Sequence, residues 1–246
     1  MAATKETLTR HLYSLSTPRP YSAATEHAFL RAAGDGTLPP TRFAFWLAQD
    51  RLYAAHAYPR FIGRLISSIP YSGTHVPGSP EEVQNQQILR VLVYCLQNVV
   101  REVGFFDDAS KELGLDVHGW RERKETRDYT AEMARISTEG SLFDGLVFLW
   151  AMEQVYLDAW NFVSSTLRET QASKDFFPCS FAANWTNDEF VTFVNDLADL
   201  VNRFGVQKGS ESWVRAEQIW ARVVELEEAF WPTDGEESTM KAAPTA

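Results

Sequence analysis

The chain has 246 residues, with 23 basic and 33 acidic side chains, a net charge of −10, and a composition 45% hydrophobic and 13% aromatic. This is too aromatic for a disordered, solvating polypeptide and too acidic for a protein that displaces counterions from nucleic-acid phosphates or an anionic membrane. Cys95 and Cys179 are too few for a disulfide framework or a Cys-rich zinc site, and no apolar run approaches the ~20 residues of a membrane span.

Met1-Ala2-Ala3-Thr4-Lys5-Glu6 has no apolar stretch behind a basic patch, so no secretory leader is expected and a cytoplasmic globular protein is. The first twenty residues read as mostly flexible, apart from a short helix around Glu6 to Leu15, and Gly34-Asp35-Gly36 reads as an interhelical turn. From Thr41 to Ser68, Phe43, Trp46, Leu47, Leu52, Tyr53, Ala57, Phe61, Leu65 and Ile66 recur at three- and four-residue steps, the period of a helix. Pro39-Pro40 suits a helix start, where backbone N–H groups lack partners, and Pro59 should kink or split the segment. Ile69 to Pro80 is a loop by composition. A helix is expected from Glu81 to Phe106, with Ile88, Leu89, Leu92, Leu96, Val99 and Val100 inward.

Gly114 and Gly119 flank a break, and His118 to Ile136 is more polar but still helical. Leu142 to Leu167 is apolar on nearly every side, the pattern of a central buried helix. Thr170 to Ala183, containing Pro178, reads as a loop, and Asn187 to Phe204 and Ser210 to Trp231 as amphipathic helices. Strand signals are essentially missing and no solenoid repeat is present. The expectation is one all-α bundle of seven or eight helices, with a mostly flexible segment at 1–20, a helical domain at 21–232 and a disordered tail at 233–246.

Carboxylates beside aromatic residues are the candidates for chemistry. Asp50 and Tyr53, three residues apart in Gln49-Asp50-Arg51-Leu52-Tyr53, share a helical face and suit an amine or aminopyrimidine; an Asp at the exposed edge of the helix is the competing reading. Glu153 interrupts Leu146-Val147-Phe148-Leu149-Trp150-Ala151-Met152, with Tyr156 and Trp160 on its face. A carboxylate there is costly to bury unless paired, protonated or functional, and desolvation raises its pKa toward acid–base work; a structural ion pair is the alternative. Glu227 lies three residues before Phe230 in Glu227-Glu228-Ala229-Phe230-Trp231. Glu102 is similar, although a surface or capping role suits it better on pattern. None of the five histidines has a Glu or Asp three residues earlier, so a di-iron carboxylate site is not expected. His27 is the one residue on which an axial haem ligand could rest. No phosphate loop or nucleophile elbow is present.

In chain order these residues resemble the TenA family, the thiaminase II-like proteins of thiamin pyrimidine salvage. The resemblance rests on His27-Ala28-Phe29 with Gly36-Thr37-Leu38; Phe43-x-x-Trp46-Leu47-x-Gln49-Asp50-x-x-Tyr53; Tyr129; Ala151-Met152-Glu153; Trp185 with Phe190; and Glu227-x-x-Phe230-Trp231. It implies a haem-oxygenase-like helical bundle, no cofactor or metal, and a homo-oligomer, dimer or tetramer. The better-known branch carries Ala-Met-x-Pro-Cys with a nucleophilic thiol, whereas this chain reads Ala151-Met152-Glu153-Gln154-Val155 and has Arg51 where an aromatic is usual. It is therefore similar to the glutamate-bearing branch. That implies a hydrolase acting on amino- or formylaminomethyl pyrimidines from degraded thiamin, with deamination and deformylation both open. On this reading Asp50 holds the pyrimidine edge, and Tyr53, Tyr129, Tyr156 and Trp185 or Phe181 form aromatic walls. Glu153 acts as base or nucleophile, and Glu227 shares its proton. A non-catalytic or haem-type binder on the same fold is the alternative.

Overall fold

The helical periodicity becomes twelve α-helices and one π turn among the described residues, 6–170 and 178–241 of the computed structural model. They are α1 (Leu8–Tyr13), α2 (Ser22–Thr25), α3 (Ala28–Asp35), α4 (Pro40–Leu52), a π turn (Tyr53–Ala57), α5 (Tyr58–Ser67), α6 (Pro80–Glu112) and α7 (Lys124–Glu139). After these come α8 (Leu142–Glu169), α9 (Pro178–Trp185), α10 (Asp188–Arg203), α11 (Glu211–Phe230) and α12 (Glu237–Met240). The described residues form no strand, only one isolated bridge between Trp120 and Lys241, and none of their helices is long and apolar enough to cross a membrane.

The centre is α8, as its all-round hydrophobicity requires. Ser141 starts it with a capping box: its hydroxyl accepts from the Asp144 amide while the Asp144 carboxylate accepts from the Ser141 amide. Leu146 through Met152 are all buried, and α3, α9, α10 and α11 pack around the helix. A methyl group at Gly145 would collide with Leu65, so this glycine lets α5 lie close against α8.

Pro59 does split the long helix predicted for 41–68, and the split has a defined form. Pro59 lacks the N–H that would continue the α pattern; α4 passes through the wider π turn, and α5 restarts with Pro59 in its first turn. Helix α6 extends past the expected end at Phe106, because Phe106, Ala109 and Ser110 prolong its buried stripe; it stops just before Gly114, whose φ is 62°. The start of α7 lies later than expected. Residues before it are held by the buried Gln49 side chain, which donates to the Arg121 carbonyl (3.0 Å) and accepts from the Arg123 amide (2.9 Å) and Thr126 hydroxyl (2.9 Å).

Residues 6–13 and 233–241 are more ordered than composition suggests. Thr7 caps α1, which buries Leu8 and Leu12. Part of the predicted 170–183 loop, residues 171–177, lies outside the described residues, but Pro178–Trp185 is a helix because Phe181, Ala182 and Trp185 share a buried face. The tail was expected to be disordered from 233. Through Lys241 it instead folds back, because its acids find buried arginines: Arg42 pairs with Asp234 and Glu237, and Arg123 with Glu236. Lys241 sits 4.0 Å above the Trp120 ring. The remainder, 242–246, lies outside the described residues.

Arg123 is 3% exposed and also donates to the Ala229 (3.1 Å) and Phe230 (2.6 Å) carbonyls at the end of α11. Removing one partner of a buried ion pair strands the other. Arg123→Ala is expected to lose roughly 3 kcal/mol of stability, read as a lower urea midpoint; an unchanged midpoint would show that the tail contributes nothing to the fold.

Candidate active site

Nine elements converge on one cavity. Its wall is built from Asp50 (α4), Tyr53 (π turn), Tyr58 (α5), Asn98, Val99 and Glu102 (α6), Tyr129 (α7), Met152, Glu153 and Tyr156 (α8), Trp185 (α9), Phe190 (α10), and Glu227 and Phe230 (α11). About 550 Å³ free of protein atoms lies among these side chains, open solvent included. All seven site residues expected from the sequence line it: Glu153, Glu227, Asp50, Tyr53, Tyr129, Tyr156 and Trp185.

Each of the four carboxylates accepts from one aromatic donor. Tyr58 donates to Glu153 (2.6 Å), Tyr156 to Asp50 (3.0 Å), Tyr129 to Glu227 and the Trp185 indole to Glu102. Among the described residues, the second oxygen of each carboxylate has no side-chain or backbone partner. No Lys, Arg or His among the described residues lines the cavity, and none of the four carboxylates joins an ion pair among them. Burial therefore acts with little opposition from countercharge. It pushes Glu153 and Glu227 up to about 8 and Glu102 to about 7, each partly offset by its aromatic donor. Asp50 rises well above the usual carboxylate range, through burial first and the neighbouring Glu102 charge second.

The expected proton-sharing contact between Glu153 and Glu227 does not form: no hydrogen bond joins them, because each is held by its own tyrosine. Their link is electrostatic, the Glu227 charge helping to raise Glu153. Glu102 is also not the surface or capping residue that pattern favoured. Ile88, Leu92, Cys95, Val99 and Phe106 are buried on α6, and Glu102 continues their three- and four-residue steps. Sequence reasoning missed Tyr58 altogether. Tyr53 and Tyr58 are five residues apart, which an α-helix would turn to different faces, yet across the π turn their rings lie 6.0 Å apart.

His27 does not line the cavity; its Nδ1 accepts from the Phe29 amide as the N-cap of α3. The haem reading is left without a ligand inside the aromatic site. Val155, two residues beyond Glu153 where the Cys-bearing branch has its thiol, is fully buried and lines no part of the cavity. Cys95 is buried in the layer behind Tyr58 and Glu153, where burial pushes its thiol up and away from reactivity. Among the described residues no three His, Cys, Asp or Glu side chains are grouped to hold a metal ion.

A helical bundle enclosing an acidic, aromatic cavity defines a class of proteins suited to flat, nitrogen-rich ligands. No family model matches the chain. A probable bifunctional TENA-E protein from Glycine max is 21% identical over 212 residues, 86% of both chains. An aminopyrimidine aminohydrolase from Halalkalibacterium halodurans is 22% identical over 215 residues, 86% of this chain and 88% of that one. A probable transcription factor from Fusarium pseudograminearum is 28% identical over 153 residues, 62% of this chain, which spans only 30% of that protein's length. A solved TenA homologue from Pyrococcus horikoshii superposes with a TM-score of 0.75 at 20% identity, covering 92% of this chain and 97% of that one. One from Pyrococcus furiosus gives 0.72, also at 20% identity, over 91% and 98%. The chain is similar in sequence to these TenA proteins and shares the all-helical fold of the solved ones.

A carboxyl that titrates near 4.5 when unfolded and near 8 when folded keeps its proton in the native state across that interval. The native chain then binds more protons, so stability falls as pH rises from about 4.5 to about 8. Urea midpoints of the ligand-free protein are expected to decline from pH 5 to pH 8. Glu153→Gln should flatten that decline and exceed the wild type at pH 8; a variant that keeps the wild-type slope would contradict the assigned burial.

Proposed function

We propose that the protein hydrolyses the exocyclic C–N bond of amino- or formylaminomethyl pyrimidines formed by thiamin breakdown, using carboxylates in place of a thiol. The observation that carries this reading is the set of four carboxyls around an aromatic slot with no lining Lys, Arg or His among the described residues. Such a wall offers acceptors and negative charge, which an aminopyrimidine matches with its exocyclic amino N–H groups. The activity named for the Halalkalibacterium halodurans relative supports the same reaction class.

The ring is held between aromatic side chains, with Tyr53 and Tyr129 (5.3 Å between centroids) on one side and Tyr156 and Trp185 (5.1 Å) on the other. Asp50, which burial favours in its protonated form, meets the amidine edge by accepting from the exocyclic amino group and donating to the adjacent ring nitrogen. For an aminomethyl substrate, a water oxygen bonds to the exocyclic methylene carbon as the C–N bond breaks. The water proton passes to ionised Glu153, and the amine, carrying the proton it shares with Glu227, departs as ammonia and leaves an alcohol. Both groups titrate near 8, so one can be ionised while the other is protonated. Tyr58 holds Glu153 in place and Tyr129 holds Glu227.

Glu153→Gln is expected to lower kcat on an aminomethyl-pyrimidine about a hundredfold or more, the usual contribution of a general base, with a smaller change in KM. Ammonia release with chromatographic detection of the alcohol measures this. Turnover by Glu153→Gln at the wild-type rate would remove the catalytic assignment. For the wild type, kcat/KM is expected to rise toward about pH 8 and fall beyond it, as base and acid exchange protonation states.

A further inference from the structure

The proposed chemistry uses Asp50, Glu153 and Glu227 and leaves Glu102 without a task. Glu102 is the least expected part of the wall: a carboxylate in the middle of the buried face of a 33-residue helix, with no ion pair among the described residues and one oxygen held by Trp185. Its other oxygen has no hydrogen-bond partner among the described residues. It lines the same wall as the other three carboxyls. The Glu102 charge is the strongest charge acting on Asp50 and the strongest acting on Glu153, and its donor Trp185 stacks edge-on against Tyr156, the donor to Asp50.

The supply of donors in the wall is as informative as that of acceptors. The hydroxyls of Tyr58, Tyr129 and Tyr156 and the indole N–H of Trp185 already donate to carboxylates, and the Tyr53 hydroxyl is directed at the Met152 sulfur at 3.5 Å. Among the described residues, the one remaining side-chain donor in the wall apart from protonated carboxyls is the amide of Asn98, whose oxygen is held by Arg101 at 2.6 Å. A neutral substrate carbonyl finds few fixed donors there, whereas a protonated amine finds several carboxyl oxygens.

Resting on the proposed pyrimidine hydrolysis, we propose that Glu102 is a specificity-determining residue that accepts from the exocyclic amine beside the ring edge held by Asp50, so that the cavity selects the cationic aminomethyl-pyrimidine over its neutral N-formyl derivative. In such a substrate the aminomethyl group and the ring amino group stand on neighbouring ring atoms, and Glu102 and Asp50 are electrostatic neighbours in the wall. A Gln side chain at 102 keeps the acceptor for Trp185 and removes only the charge.

The test compares wild type and Glu102→Gln on the aminomethyl-pyrimidine and on its N-formyl derivative, with calorimetric binding of the aminomethyl compound and of the neutral hydroxymethyl-pyrimidine measured alongside. Wild type is expected to prefer the amine. Glu102→Gln should lose about tenfold to a hundredfold in kcat/KM and in affinity for the amine, the range for a hydrogen bond to a charged group, and under about threefold for the neutral compounds. Equal losses on charged and neutral compounds, or no loss, would overturn the specificity role while leaving hydrolysis by wild type intact. If wild type turns over neither substrate, the catalytic reading fails on its own, and the calorimetric preference for the cation still decides the role of Glu102.

Discussion

Four carboxyl groups share one cavity with no Lys, Arg or His in its wall among the described residues, and that constraint shapes the protein around it. An ionised carboxylate withdrawn from water is expensive unless something compensates it. Compensation here is spread over four separate aromatic donors and over retained protons rather than over arginines or lysines. Each donor comes from a different helix than its acceptor, so the packing of α4 through α11 and the electrostatics of the cavity are the same set of contacts seen from two sides. The arginines that do lie deep in the protein, Arg42 and Arg123, are committed to the C-terminal segment and do not line the cavity.

Catalytic competence of such a wall follows from its asymmetry. The groups are all carboxyls, but their partners and neighbours differ. Asp50 and Glu102 adjoin Tyr156 and Trp185 at one end, while Glu153 and Glu227 adjoin Tyr58 and Tyr129 at the other. The proposed hydrolysis draws on this asymmetry: protons to give and to take near neutral pH, beside flat hydrophobic faces.

Much of this was legible in the sequence, for reasons that differ by residue. Glu153 stands out because a charge inside an uninterrupted apolar run has few explanations. Asp50 and Tyr53 stand out through helical spacing. Glu102 was set aside because neighbouring Arg101 and Gly104 made the segment look solvated, although its own register on α6 was buried. Tyr58 was invisible because periodicity arguments assume one constant turn angle, and the π turn breaks that assumption between Tyr53 and Tyr58. The C-terminal segment misled for another reason. Composition reports its charge, whereas its order depends on Arg42 and Arg123, which are distant in sequence.

The π turn at Tyr53–Ala57 also changes how the long α4–α5 segment relates to the rest of the bundle. It acts as a phase shifter between two helical halves. Upstream, Phe43, Trp46, Leu47 and Asp50 follow one helical face; downstream, Phe61, Ile62 and Leu65 follow another. Each half meets its own neighbours in its own register, and the accumulated angular mismatch is absorbed in a single wide turn at the edge of the cavity. A substitution on either half leaves the other in register. Losing one residue between Tyr53 and Tyr58 would instead act as a frameshift in three dimensions, rotating every side chain of α5 about the helix axis and carrying Tyr58 away from Glu153.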